Sequence, residues 1–176
     1  MATYGTLSEA ELEVVNNVKR PQQLGNVGEG GSKSILSYED AEEIAFDAIH
    51  GSDSADSVVL GKFDAIKDKN GNFVLDADGN RIPSENSYDS IAKAMDAQYF
   101  NLENWNELSS QYSGEEIWKI NEKFLDIQTS SGREIYLSHN PMDYVGDGSY
   151  YSKEVQYLMD NGYRFIKEGE VWHAIR

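Results

Sequence analysis

Five side chains have types and spacing suited to holding an anion and cleaving a bond beside it. Lys62 follows the apolar run SVVLG (57–61), Ser138 and Asn140 flank His139 after EIYLS (134–138), and Ser149 and Glu154 open a helical pattern over 149–160. If both runs are strands of an open α/β sheet, their carboxyl ends are where such sheets bind ligands. Gly148-Ser149 then stands at a helix start, where free backbone N–H groups favour an anion, and the Lys62 ammonium adds charge at the same rim. Ser138, Asn140 and Ser149 are the expected substrate-binding groups. Glu154, about one and a half turns into the helix, is expected to stabilise an oxocarbenium-like centre or act as a general base. At the chain's end, Trp172 is expected on the buried face of the last strand, leaving His173 and Arg176 on the other as an acid/base and phosphate-binding pair. Each residue also has a plain reading: Lys62 a solvated flank, Ser149 a helix cap, Glu154 an exposed helix acid.

The elements that must position these groups follow from periodicity. Ser37 is a plausible cap for a helix with Ala41, Ile44, Ala45 and Ile49 inward and Gly51 at its end. A strand over 57–61 follows, then a helix over 87–97 with Ile91, Ala94 and Met95 inward, and a strand at QYFNL (98–102). The strongest helix spans 113–129, with Ile117, Ile120, Phe124 and Ile127 on one stripe, Glu115 and Glu116 in the first turn, and Gly132 as the stop. Strand 134–138, helix 149–160 and strands 163–166 and 171–175, joined as a hairpin, complete the chain. Strands alternating with helices argue for an α/β fold: three layers, a largely parallel sheet with helices on both faces, and an antiparallel C-terminal hairpin. Tyr150, Tyr151, Tyr157, Tyr163 and Trp172 read as core packing rather than a base-stacking platform.

Composition bounds the answer. The chain has 176 residues, with 31 acidic against 15 basic and a net charge of −16, and 39% of it is hydrophobic. At this length folding buries roughly 70% of the unfolded surface, enough for one core. Residues 1–33, with a short helix at 8–18 and the glycine-rich stretch PQQLGNVGEGGSK (21–33), read as an acidic tail and linker; residues 34–176 read as one domain. Within it, 64–83 looks like an inserted surface hairpin, with Asn70-Gly71 and Asp78-Gly79 as turns. Its acidic residues miss the spacing of a calcium loop, because each glycine falls at the fourth position instead of the sixth. His50, His139 and His173 are isolated and there is no cysteine, so no metal site is expected. Nucleotide-binding glycine loops and a G-x-S-x-G elbow are absent as well, and no cofactor is expected, although a Ser-His-Asp arrangement stays open. No apolar stretch is long enough for a membrane span.

GKFD (61–64), SYDSIAKAMDAQYFNL (87–102), WKINEKFLDIQTSSGREIYLSHNP (118–141) and GSYYSKEVQYLMDNGYRF (148–165) together resemble the C-terminal effector domains of bacterial polymorphic toxins, the toxic tips of Rhs, contact-dependent inhibition and related secreted proteins. The resemblance implies a tip delivered into a target cell's cytoplasm as the C-terminal part of a larger secreted protein. It also implies neutralisation by a cognate immunity protein, and a monomer apart from that complex. No catalytic set comes with it. Such tips commonly attack nucleic acid or a nucleotide. A charge of −16 opposes a phosphate polymer, which favours hydrolysis of a small anionic nucleotide such as NAD. Two alternatives remain: an RNase or DNase using Lys62, Arg133, Arg164 and Arg176 as a basic groove, and an acidic immunity or inhibitor protein that binds a basic partner without catalysis.

Overall fold

A computed structural model describes residues 32–176; the helix expected over 8–18 and nearly all of the linker over 21–33 lie outside them. From Ser34 the chain is tied to the body, with Ser34 N–H donating to the Gln111 carbonyl at 2.9 Å. Helix α1 (Tyr38–Asp47) is capped by Ser37, whose Oγ accepts from Asp40 N–H. It ends earlier than its apolar pattern suggests, because Ile49 belongs to a short strand β1 (Ile49–His50). Next come β2 (Ser57–Leu60), α2 (Tyr88–Ala94), β3 (Tyr99–Phe100), α3 (Trp105–Gln111), α4 (Gly114–Ser131), β4 (Glu134–Leu137), a 3-10 turn (Pro141–Asp143), α5 (Tyr150–Asp160), β5 (Arg164–Glu168) and β6 (Val171–Ile175).

The fold is α/β with a mixed sheet. The four-stranded sheet has the order β2-β4-β6-β5, and β1 pairs antiparallel with β3. Of the adjacent pairs, β2 with β4 is parallel, whereas β4 with β6 and β6 with β5 are antiparallel. The expected parallel crossover does occur, since β5 runs in the direction of β4. The hairpin β5–β6 then folds its second strand between them, so the neighbours of a largely parallel sheet are not formed.

Register assigns the two faces. Val58, Ile135 and Ala174 align, and Leu60 aligns with Leu137, on the face that packs against α1, α4 and α5. The row Val59, Tyr136, His173 and Ile166 lies on the other face. There Val59 packs with Tyr88 and Ala92 of α2, while Ile166 at the far end is 44% exposed. Helix α2 departs from its expected pattern: Tyr88 and Ala92 point inward, whereas Ala94 and Met95 are exposed. The helix stops after seven residues, with Asp96 in the left-handed region at φ 55°. Helix α4 has its N-cap, Ser113 Oγ accepting from Glu116 N–H, and Gly132 closes it at φ 73°. Tyr150, Tyr151, Tyr157, Tyr163 and Trp172 all pack in or against the main core.

The segment 64–83 is a small unit of three extended rungs. Val74 N–H donates to the Ile66 carbonyl, Ile82 N–H to that of Val74, and Ile66 N–H to that of Ile82, closing a ring of bonds. Asp68 and Asp76 spend their carboxylates inside the turns, on the N–H groups of Asn70 and Asn72 and of Asp78 and Asn80. These bonds hold both aspartates below the usual carboxylate range. Among the described residues no helix is long and apolar enough to cross a membrane.

Candidate functional site

The carboxyl ends of the parallel pair β2 and β4 come together at Gly61 and Ser138. Ser138 N–H extends the ladder to the Leu60 carbonyl at 2.8 Å, and Lys62 N–H donates to Ser138 Oγ at 3.3 Å. Gly61 has φ 153°, and a Cβ there would lie 1.7 Å from Ser138 Oγ. Only glycine permits this approach. It presses the Ser138 hydroxyl against its neighbour, so that Oγ lies 2.7 Å from Nδ1 of His139. Oγ also accepts from Lys62 N–H, and the direction of its bond to the ring follows the tautomer: with the ring proton on Nε2, the hydroxyl donates to Nδ1.

His139 is half-buried. Burial pushes its pKa down, the charge of Asp64 pulls it up, and the charge of Lys62 pushes it down, with a net lowering that keeps the ring neutral near pH 7. Tyr144 sits edge-on to His139 at 6.1 Å, and the Lys62 ammonium lies 4.6 Å from the Tyr144 ring centre. Tyr151 fixes the loop from beneath, its hydroxyl donating to the His139 carbonyl at 2.6 Å. Asp64 is anchored by three contacts: its N–H donates to Ser87 Oγ at 3.1 Å, its carbonyl accepts from Ser84 N–H at 2.8 Å, and its Oδ2 accepts from Ser84 Oγ at 2.6 Å. An ammonium, an imidazole N–H and a carboxylate thus converge at one strand end. The first two suit a phosphate, the third a developing positive centre or a water to be deprotonated.

Of the expected rim residues, Lys62 and Ser138 are brought together, and Ser138 proves to be a support for His139. Asn140 caps the 3-10 turn, its Oδ1 accepting from Met142 N–H at 3.2 Å. Ser149 is consumed by capping: its Oγ accepts from Ser152 N–H at 3.0 Å and donates to Asp147 Oδ1 at 2.6 Å. That same carboxylate oxygen accepts from Ser149 N–H at 2.8 Å. The anion expected at this helix start is therefore supplied by the chain itself. Glu154 lies away from the rim, in the α4–α5 interface at 1% exposure. Asn121 is the polar group beside it, yet Glu154 Oε2 and both amide atoms of Asn121 lack a hydrogen-bond partner. Burial raises the Glu154 pKa well above the ordinary glutamate value, and the nearby Asn121 amide pulls the other way. The error has a simple origin, because residue 154 falls on the stripe of Tyr151, Val155 and Leu158 that α5 turns to the core.

His173 and Arg176 are not brought together. Trp172 packs toward the main core as expected and His173 takes the other face, stacked on Tyr136 at 4.6 Å. Burial opposes its charge, but bonds to Glu168 at 2.9 Å and Glu134 at 2.5 Å outweigh it, and the pKa is raised. Held between the two carboxylates, the ring ties together β4, β6 and β5, which contribute Glu134, His173 and Glu168. Arg176 lies over the Tyr163 ring at 5.0 Å, and Tyr163 belongs to the core side. Parity explains this, since residues 172, 174 and 176 share a face in an extended strand. The basic groove is broken as well. Arg133 binds the Ala55 and Asp53 carbonyls before β4, and Arg164 pairs with Ile175 at that same end, whereas Lys62 stands at the opposite end of the sheet.

Sequence reasoning placed His139 at the strand end without assigning it a role, and missed Asp64, the last residue of GKFD. The signal was its place three residues beyond Gly61, which the inserted unit obscured. Among the described residues, no group of three or more His, Asp or Glu side chains is placed to hold a metal ion. Searches against protein-family models, curated proteins and solved structures each found no match to this chain.

Proposed function

We propose that the chain is a toxin domain that hydrolyses a small anionic nucleotide, such as NAD, in a target cell. The observation that carries this reading is the placement of Lys62, Asp64 and His139 at the carboxyl ends of the parallel pair β2 and β4, with Ser138 bonded to the imidazole. Lys62 and the Nε2–H of His139 bind a substrate phosphate. Asp64 takes the role first given to Glu154: it stabilises the positive sugar carbon as the base departs and takes the proton of the attacking water. Polymer substrates find less support, because Lys62 and the arginines lie at opposite ends of the sheet. A third layer formed by α2 belongs to the same proposal, supported by the packing of Tyr88 and Ala92 on Val59. So do delivery as the tip of a larger secreted protein and neutralisation by an immunity protein, which rest on the resemblance of the segments above.

The test is expression of the chain in bacterial cytoplasm, with growth followed and nucleotide pools profiled. Arrest with NAD depletion, abolished by Asp64→Asn, is expected. Normal growth at confirmed soluble expression overturns the toxin reading and leaves the acidic binding protein. Arrest with intact nucleotides and degraded RNA or DNA overturns the substrate.

A further inference from the structure

Helix α1 carries Glu39, Asp40, Glu42, Glu43 and Asp47 in ten positions, and no basic residue in its last turn. Asp47 stands at the carboxyl end, where the helix dipole is negative and disfavours an acid. Phe46, 56% exposed, lies in a shallow depression of about 340 Å³ among Glu39, Glu42, Glu43 and Asp47. A recess of about 270 Å³ adjoins it, with Ile44, Ala48 and Leu102 as apolar walls and Asp47 and Glu103 as its acidic groups. Glu103 faces His50 Nε2 at 3.9 Å, a pair that is ionic only when the ring is protonated.

The independent mark is Asn101, which lines this recess. It is 3% exposed, its backbone is fixed by bonds to the Ala48 carbonyl and to His50, and its Oδ1 has no partner. A buried amide oxygen without a donor costs stability. Two carboxylates and the amides of Asn101 and Asn104 stand around an apolar-walled recess, whose charged groups are all acidic. Such a recess is complementary to an ammonium or guanidinium carried on an aliphatic stem.

We propose that this face docks a basic segment of a partner protein, an arginine or lysine of which enters the recess beside Asn101 while Phe46 packs against the segment's apolar side chains. A protein is the fitting occupant because the acidic surface continues past the recess over Glu39, Glu42 and Glu43, farther than a small cation reaches. The inference is independent of the catalytic reading, since none of these residues belongs to the strand end.

Calorimetric titration of the full chain with a synthetic peptide, Arg at every fourth position among Ala and Leu, tests it. Asp47→Asn with Glu103→Gln, both exposed and so without risk to folding, is expected to weaken binding about tenfold or more, the loss of charge-assisted bonds. Asp78→Asn with Glu170→Gln removes the same charge elsewhere and is expected to change little. Equal weakening by the two pairs would reduce the effect to net charge and overturn the site. Absence of peptide binding overturns it outright. Ethylguanidinium binding as tightly as the peptide overturns the docking surface in favour of a small-cation pocket.

Discussion

Two carboxylates in this molecule invite a catalytic reading, and their surroundings separate them. Asp64 is half-buried at the end of the parallel pair, anchored by Ser84 and Ser87, with His139 within reach of its charge. Glu154 is sealed between α4 and α5, with an orphan oxygen beside an orphan amide. Glu154, whose pKa burial raises, is the less useful group. Burial alone makes a carboxyl hard to ionise, but chemistry also needs access and a second group to exchange charge with. Glu154 has neither, whereas the strand end offers an ammonium, an imidazole and a carboxylate at a surface.

The sharpest way to break this comparison is to remove each charge without changing shape. Asp64→Asn keeps the bond from Ser84 and is expected to lower activity by about 10² to 10⁴, the range for a general acid or base, with the melting curve preserved. Glu154→Gln is expected to leave activity unchanged. If the toxicity and nucleotide assays give the opposite pattern, the assignments must be exchanged.

Next in size is the contact that builds the strand end. Gly61→Ala would place a methyl group 1.7 Å from Ser138 Oγ and 2.7 Å from its Cβ, at a backbone φ of 153°. A loss of about 3 kcal/mol or more is expected from chemical denaturation, because backbone strain and overlap add. A tolerated alanine would mean that the two strands do not approach so closely and that His139 is not held by this serine.

Much of this architecture was legible in the chain. Caps at Ser37, Ser113 and Ser149 and the left-handed stop at Gly132 are local devices, and they appear where the residue types put them. What failed was non-local. No local pattern tells that β6 inserts between β4 and β5, and the parallel neighbours were lost there. Helix α3 was missed because seven residues, WNELSSQ, hold only Trp105 and Leu108 as buried positions. At the site, strand-end position led to Lys62 and Ser138, while Glu154 and Ser149 were misjudged because sequence cannot show that the core or a neighbouring carboxylate already claims a side chain.

A smaller effect separates the two regions through pH. The folded pKa of Glu154 is raised above its unfolded value by burial. The unfolded chain therefore releases this proton at a lower pH than the folded one. Its contribution is fully present below about pH 4.5 and is lost as pH rises toward the folded pKa. Glu154→Gln cannot ionise, so it is expected to match the parent near pH 4 and to melt higher near pH 8. Each 1 kcal/mol gained corresponds to about 2–4 °C in a chain of this size. A variant that melts lower at both pH values would show that the carboxyl is satisfied in the core.

Ser138→Ala is expected to have the smallest effect and tests whether the imidazole is tuned or merely packed. In the tautomer with its proton on Nε2 the neutral ring accepts from the hydroxyl at Nδ1, and loss of the hydroxyl both removes that bond and opens space for water around a group whose pKa burial now holds down. Both changes favour protonation. The His139 pKa is therefore expected to rise toward 6.5, which NMR titration of the ring reads directly. His139 is kept neutral in the folded state, so its share of stability is complete above about pH 6.5 and is lost as pH falls below that value. The variant should depend less on pH in this window, at a stability change of about 1 kcal/mol. Protonation at Nδ1 keeps the Nε2–H donor, so phosphate binding through this ring is expected to persist as the ring titrates. An unchanged titration with unchanged activity would reduce Ser138 to a packing residue and leave Lys62 and Asp64 to act without an oriented partner.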